Sequence, residues 1–127
     1  MRTDVLKLKI QIFCGDEIAM GPGKADLLEA IDAHGSISAA GRSMGMSYRR
    51  TWLLVDTMNR CWREKLVETV AGGGKERGAR LTTIGRQILN DYRAIENAAI
   101  SAAASEDFRH LKHLLRDEPI PPAYPLK

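Results

Sequence analysis

The stretch Gly35-Ser36-Ile37-Ser38-Ala39-Ala40-Gly41-Arg42-Ser43-Met44-Gly45-Met46-Ser47-Tyr48-Arg49-Arg50-Thr51-Trp52 reads as two helices meeting at a tight corner. Ser36 is a side-chain acceptor placed to cap a short helix over Ile37 to Met44, rich in the small residues Ser38, Ala39, Ala40 and Gly41. Gly45 permits the positive φ that ends it, and Ser47 is placed to cap a longer helix from Tyr48 to about Arg63. Helices that cross this closely need a small residue at the contact, which Gly41 supplies, and apolar residues to bury the corner, which Met44 and Met46 supply. The expected unit is a helix-turn-helix. Its second helix turns Tyr48, Thr51, Val55, Met58 and Trp62 inward, with Trp52 and Leu54 flanking.

Around this corner the chain is organised simply. Leu6-Lys7-Leu8-Lys9-Ile10-Gln11-Ile12 alternates apolar and polar residues and predicts a half-buried strand continuing to Phe13 or Cys14. A turn at Cys14-Gly15-Asp16-Glu17 leads to a short return strand over Ile18 to Met20, and Gly21-Pro22-Gly23 breaks the chain. A first helix follows from Lys24 to His34, with Gly35 as its left-handed cap. Beyond the corner, Leu66 to Ala71 and Ala79 to Thr82 read as strands joined by Gly72-Gly73-Gly74-Lys75-Glu76-Arg77-Gly78. A long helix is expected from Thr82 or Thr83 to about Asp107, because Ile84, Ile88, Tyr92, Ile95, Ala99 and Ala102 recur at heptad-like spacing. Such a stripe predicts a dimer seam.

The 127 residues, 44% hydrophobic and 28% charged, suit one folded domain over 1–108, with a tail over 109–127. The Pro-rich end, Glu118 to Pro125, is expected to be extended or disordered. No apolar run approaches the ~18 residues of a membrane span, and Lys7 and Lys9 interrupt any signal-peptide core, so the expected location is cytoplasmic. Cys14 and Cys61 form no CxxC pair and are read as reduced, partly buried thiols rather than a disulfide. His110 and His113 have no cysteine near them and are read as solvated helix histidines rather than metal ligands. No cofactor is expected. No enzyme is expected either: no nucleophile stands in a recognisable base setting, and the triple glycine lacks the GK[ST] ending of a phosphate loop.

Charge is unevenly spread. Ser36 to Arg86 holds ten Lys and Arg against four Asp and Glu, whereas the remainder holds nine against twelve. No acidic residue lies between Asp32 and Asp56, where Arg42, Arg49 and Arg50 stand. A basic segment in an otherwise acidic chain suits a polyanion. The front of the second corner helix is then the candidate to enter a DNA major groove. Arginine can bond the O6 and N7 of guanine together, and Arg49 and Arg50 point about 100° apart, so one is expected on bases and the other on phosphate. The candidate DNA contacts are Ser36, Ser38, Ser47, Tyr48, Arg49 and Arg50, with Lys75, Arg77 and Arg80 of the glycine-rich hairpin acting as a wing along the backbone.

Gly23-Lys24-Ala25-Asp26-Leu27-Leu28-Glu29-Ala30-Ile31, Gly35 to Ala40, Gly45 to Arg50, Trp52, Asp56-Thr57-Met58-Asn59 and Leu81-Thr82-Thr83-Ile84-Gly85 together resemble the N-terminal domain of ModE-type regulators. That domain is a LysR-like winged helix-turn-helix. The resemblance covers about residues 5 to 100. It implies a mainly α fold with a small β component and a long C-terminal dimerisation helix. It further implies a homodimer, held partly by its first helix, through Leu27 and Ile31, and by its last, on a palindromic operator in double-stranded DNA, contacted through Ser47, Tyr48, Arg49 and Arg50. Gly41 and Thr51 depart from the alanines usual in the family, and Gly41 alone costs up to ~1 kcal/mol of helix stability. The wing, with Lys75-Glu76-Arg77, is less purely glycine than usual. Nothing after Asp107 matches the family's molybdate-binding part, so molybdate sensing is not carried over, and any effector is expected to come from elsewhere, such as a separate sensor protein. The rival expectation is a protein-interaction module on the same scaffold that no longer binds DNA.

Overall fold

The computed structural model describes residues 2–71 and 78–124. The elements run β1 (Arg2–Thr3), β2 (Leu6–Lys7), β3 (Ile12–Cys14), β4 (Glu17–Met20), α1 (Pro22–His34), α2 (Ile37–Ser43), α3 (Tyr48–Cys61), β5 (Val67–Val70), β6 (Gly78–Leu81), α4 (Thr83–Ile100), a 3-10 turn (Ser101–Ala104) and α5 (Glu106–Leu114). The strands pair only as antiparallel neighbours, β1 with β2, β3 with β4 and β5 with β6. The result is mainly helical with three small hairpins. No described helix is long and apolar enough to cross a membrane.

The first expected strand is divided. Residues 8 to 11 lie outside the strands, and there the Ile10 carbonyl accepts a 2.7 Å hydrogen bond from the Tyr92 hydroxyl of α4. The alternation survives, with Ile10 and Ile12 packed against the core and Lys9 and Gln11 exposed. In the β3–β4 hairpin the register slips between Ile12 and Phe13, so that Cys14 faces Glu17 and Ile12 faces Met20.

Helix α1 begins two residues earlier than expected, with Pro22 in its first turn, where the missing amide is no loss. It buries Ala25, Leu27, Leu28 and Ile31, and ends at Gly35 in the left-handed conformation (φ 69°) with the Gly35 amide donating to the Ile31 carbonyl. Met20, Leu27, Leu28, Ile31, Met58, Leu66 and Tyr92 form the fully enclosed centre. Burying each such side chain contributes about 1.5–3 kcal/mol. Leu27, Ile31 and Tyr92, expected at a dimer seam, are instead enclosed by the chain's own core and have no surface to offer a second copy.

The last helix also differs from expectation. Helix α4 stops at Ile100, and α5 restarts at Glu106 after Ser105 accepts from the Phe108 amide. Around the break the Ser101 hydroxyl donates to the Ala98 carbonyl and the Ser105 hydroxyl to the Ala102 carbonyl. Serine side chains that satisfy backbone groups locally weaken a helix interior, and the intervening alanines have little packing to hold it. Helix α5 runs across the point where the tail was expected to begin. His110 and His113 lie exposed on it.

Within α4 the buried stripe is Gly85, Leu89, Tyr92 and Glu96, one step around from the predicted line. Ile84, Ile88 and Ala99 are half-buried shoulders, and Ile95 is 49% exposed. Arg93 ties α4 to α1 by bonding Asp26 (2.6 Å) and Glu29 while also holding the buried Glu96 (2.8 Å). Arg86 reaches Asp32 on α1 at 2.6 Å.

Candidate nucleic-acid interface

The corner between α2 and α3 is built as the residue types require. Ser36 accepts from the Ala39 amide at 3.1 Å and starts α2. Gly45 takes φ 70°, and the Met46 amide donates back to the Gly41 carbonyl at 2.9 Å. Gly41 sits flush against the Thr51 side chain, which fills the contact where α2 and α3 cross. Ser47 accepts from the Arg50 amide at 3.1 Å while its carbonyl accepts from the Thr51 hydroxyl at 2.8 Å. Met44 and Met46 pack on the core beneath.

Helix α3 buries Thr51, Val55 and Met58, with Trp52 and Leu54 at the margins as expected. Of the inward assignments Tyr48 is corrected, whereas Trp62 does pack against the core, from just beyond the end of the helix. Tyr48 is 67% exposed, because it occupies the first turn, beyond the edge of the core, and leans on the Trp52 ring at a centroid distance of 6.0 Å. Trp62 lies just past the helix in extended backbone and anchors the β3–β4 hairpin by donating to the Ala19 carbonyl.

The exposed front of α3 therefore presents Ser47, Tyr48, Arg49 and Arg50 together, and these expectations coincide in space. Four arginines are neutralised within the fold. Arg60 is held by Glu17 and Asp56, Arg80 by Glu68, Arg86 by Asp32 and Arg93 by three carboxylates. Arg42, Arg49 and Arg50 are exposed and make no ion pair or side-chain hydrogen bond among the described residues. Arg63, Arg109 and Arg116 are likewise in no ion pair among the described residues, but each stands singly away from the corner, whereas Arg42, Arg49 and Arg50 all belong to it.

The remaining candidates separate from this cluster. Ser36 is 8% exposed and engaged as a cap, and Ser38 is half-buried in the first turn of α2. Arg80 faces outward on β6 but is paired at 2.7 Å with Glu68, its neighbour in the β5–β6 register. Lys75 and Arg77 lie outside the described residues. The hairpin is nonetheless fixed relative to the corner: the Ala79 amide donates to the Gly35 carbonyl at 2.9 Å. Asn59, near the end of α3, accepts from the Leu66 and Val67 amides and donates to the Val67 carbonyl. No local pattern marks Asn59, but its amide joins the second corner helix to the wing.

One outward residue was overlooked. Leu53 is 53% exposed, three and four positions along α3 from Arg50 and Arg49. Its signal was its place on the outward side of the helix, where an apolar residue finds no core.

Comparison with known proteins places this geometry. No family model matches the chain. It is 44% identical over 78 residues to the molybdenum transport protein ModE of Azotobacter vinelandii, covering 61% of this chain and 29% of that protein. It is 31% identical over 114 residues to the DNA-binding transcriptional dual regulator ModE of Escherichia coli K12, covering 87% and 42% respectively. It is 36% identical over 83 residues to the molybdenum-pterin-binding protein MopA of Rhodobacter capsulatus, covering 65% and 31%. The chain thus spans less than half the length of these relatives. Among solved structures, the crystal structure of the CbnR_DBD–DNA complex matches with TM-score 0.51 and 21% identity, over 65% of this chain and 88% of that one. The chain is accordingly a homologue of part of the ModE-type proteins, folded as a winged helix-turn-helix.

Proposed function

We propose that this chain is a sequence-specific DNA-binding transcription regulator, acting in the cytoplasm as a homodimer on a palindromic operator. The observation that carries the reading is the unneutralised set Arg42, Arg49 and Arg50 at the helix corner, while Arg60, Arg80, Arg86 and Arg93 are all paired. Helix α3 enters the major groove by its N-terminal turn, and the wing lies along the flanking backbone. The names of the relatives favour DNA over the rival protein-interaction role. No step of chemistry is needed.

The dimer seam is reassigned to the uncovered side of α4. Ile84, Ile88, Ile95 and Ala99 line one strip beside the core stripe, and α5 adds the exposed Leu111, Leu114 and Leu115. Two-fold pairing would place the recognition helices about one turn of DNA apart.

The test is selection of bound duplexes from a random pool, then titration of the selected duplex with wild type, Arg49→Ala and Arg50→Ala. Loss of a bidentate guanine contact weakens binding by about 1–3 kcal/mol and relaxes one base position. Unaltered affinity in both variants removes α3 as the reading helix.

A further inference from the structure

Beside α3 lies a cleft of about 260 Å³ between the N-terminal segment, the start of α1 and the corner, lined among others by Lys9, Gly21, Lys24, Met46, Arg50 and Leu54. Arg50 and Leu54 stand one turn apart on the same side of α3, so the cleft continues directly from the candidate recognition surface. Its three cations come from three separate segments of the chain. None makes an ion pair or a side-chain hydrogen bond among the described residues, and no carboxylate lines the cleft.

We propose that this cleft seats a backbone phosphate of the bound duplex on Lys9 and Lys24 beside Arg50, extending the DNA contact from α3 to the N-terminal segment. The inference rests on the DNA-binding reading above.

Lys24 is poorly placed for a protein without an anion nearby. It is half-buried in the first turn of α1, where the helix dipole disfavours a cation, and α1 has no acidic residue there and no side-chain cap. Burial first, and the Arg50 charge as well, push its ammonium below the ordinary lysine value. Cys61 and Glu17 pull the other way, but the Cys61 thiol is itself pushed up by burial and Glu17 is already engaged by Arg60. A phosphate oxygen would offset the repulsion between Lys24 and Arg50. Phosphate contacts of this kind set register on the duplex without reading sequence.

The experiment is anisotropy titration of the selected duplex and a scrambled duplex between about 50 and 200 mM salt. Lys9→Gln/Lys24→Gln is compared with wild type, with Arg49→Ala, and with Arg109→Gln/Arg116→Gln, which removes equal charge from α5 and the tail. The cleft variant is expected to lose about 10-fold on both duplexes and to reduce the salt slope by about 1–2, with an unchanged melting temperature. The tail variant keeps wild-type affinity. If the cleft variant binds with wild-type affinity and slope while Arg49→Ala loses specificity, the cleft assignment fails and the recognition helix stands. Equal losses in the cleft and tail variants also overturn it, as a mere net-charge effect. If wild type binds neither duplex, both readings fall together.

Discussion

Gly41 and Thr51 fit one another as a pair: a Cβ built on Gly41 would lie 2.9 Å from both the Cβ and the Cγ2 of Thr51, and closer still to its hydroxyl oxygen. The resemblance implies alanine at both positions, and the contact shows how glycine and threonine fit there as a pair. The threonine takes the volume the missing methyl leaves, and its hydroxyl is occupied by the Ser47 carbonyl. Gly41→Ala alone is therefore expected to destabilise by about 1–3 kcal/mol through overpacking, despite its better helix propensity. Thr51→Ala alone loses a hydrogen bond and leaves a small void, about 1 kcal/mol. The double variant recovers most of the loss. Urea midpoints for the four proteins give the coupling, and simple additivity of the two single changes would falsify the pairing.

Leu53 tests whether apolar readout accompanies the arginines. With Arg49 and Arg50 beside it on the outward face, its side chain is suited to a thymine methyl. Leu53→Ser is expected to keep the melting temperature, since little core contact is lost. It should reduce preference for thymine at one operator position. A selection experiment returning the wild-type preference at every position would exclude Leu53 from the contact.

Gly85 exposes a limit of sequence reading. A Cβ there would lie 2.9 Å from the Leu66 carbonyl carbon and closer to its oxygen, which also accepts from the Thr82 amide. The neighbour is backbone, so it cannot swing aside. Gly85→Ala is expected to cost about 3 kcal/mol, at the upper end for added core volume, measurable as a lowered urea midpoint. A midpoint equal to wild type would mean that α4 can slide away from the wing base.

The elements around the corner were legible because their causes are local. Ser36, Gly35, Gly45 and Ser47 act within four residues of where they stand, as caps and turns. Helix α4 was read less well for a physical reason. Ile84, Ile88, Ile95 and Ala99 lie on one line of the helix with Tyr92, so periodicity joins all five in one seam, although Tyr92 is buried in the chain's own core. The face that is buried instead carries Gly85 and Glu96, and Glu96 is tolerable there only because Arg93 reaches it. Likewise the pairing of Arg80 with Glu68 follows from strand register, which composition does not contain. Tyr48 was assigned inward by spacing alone, although the first turn of α3 projects beyond the core.

Tyr92 provides a pH signature of the N-terminal segment. Burial, followed by the charge of Glu96, pushes its phenol up to about 12, and the hydroxyl donates to the Ile10 carbonyl. A raised value means the folded state favours the protonated phenol. Its contribution is therefore complete below the unfolded value of 10.0 and is lost as pH rises through about 12. At pH 9, wild type is expected to exceed Tyr92→Phe by about 1 kcal/mol in urea unfolding. The gap should narrow between pH 10 and 12. A gap that stays constant across that range would show that the hydrogen bond does not depend on the phenolic proton.

Cys14 and Cys61 lie side by side where the β3–β4 hairpin meets the end of α3, and they differ in access. Cys14 is exposed on β3, whereas Cys61 is half-covered, with burial first and the Cys14 thiol next pushing its own thiol upward. Because the thiolate is the reactive form, iodoacetamide at pH 8 is expected to modify Cys14 before Cys61. Cys14→Ser removes one of the causes that raise Cys61, so labelling of Cys61 should quicken in that variant. Peptide mass mapping over time distinguishes the two sites. Labelling of Cys61 at or above the rate of Cys14 would contradict the packing of the hairpin against the last turn of α3, the same packing that holds Arg60 on Glu17.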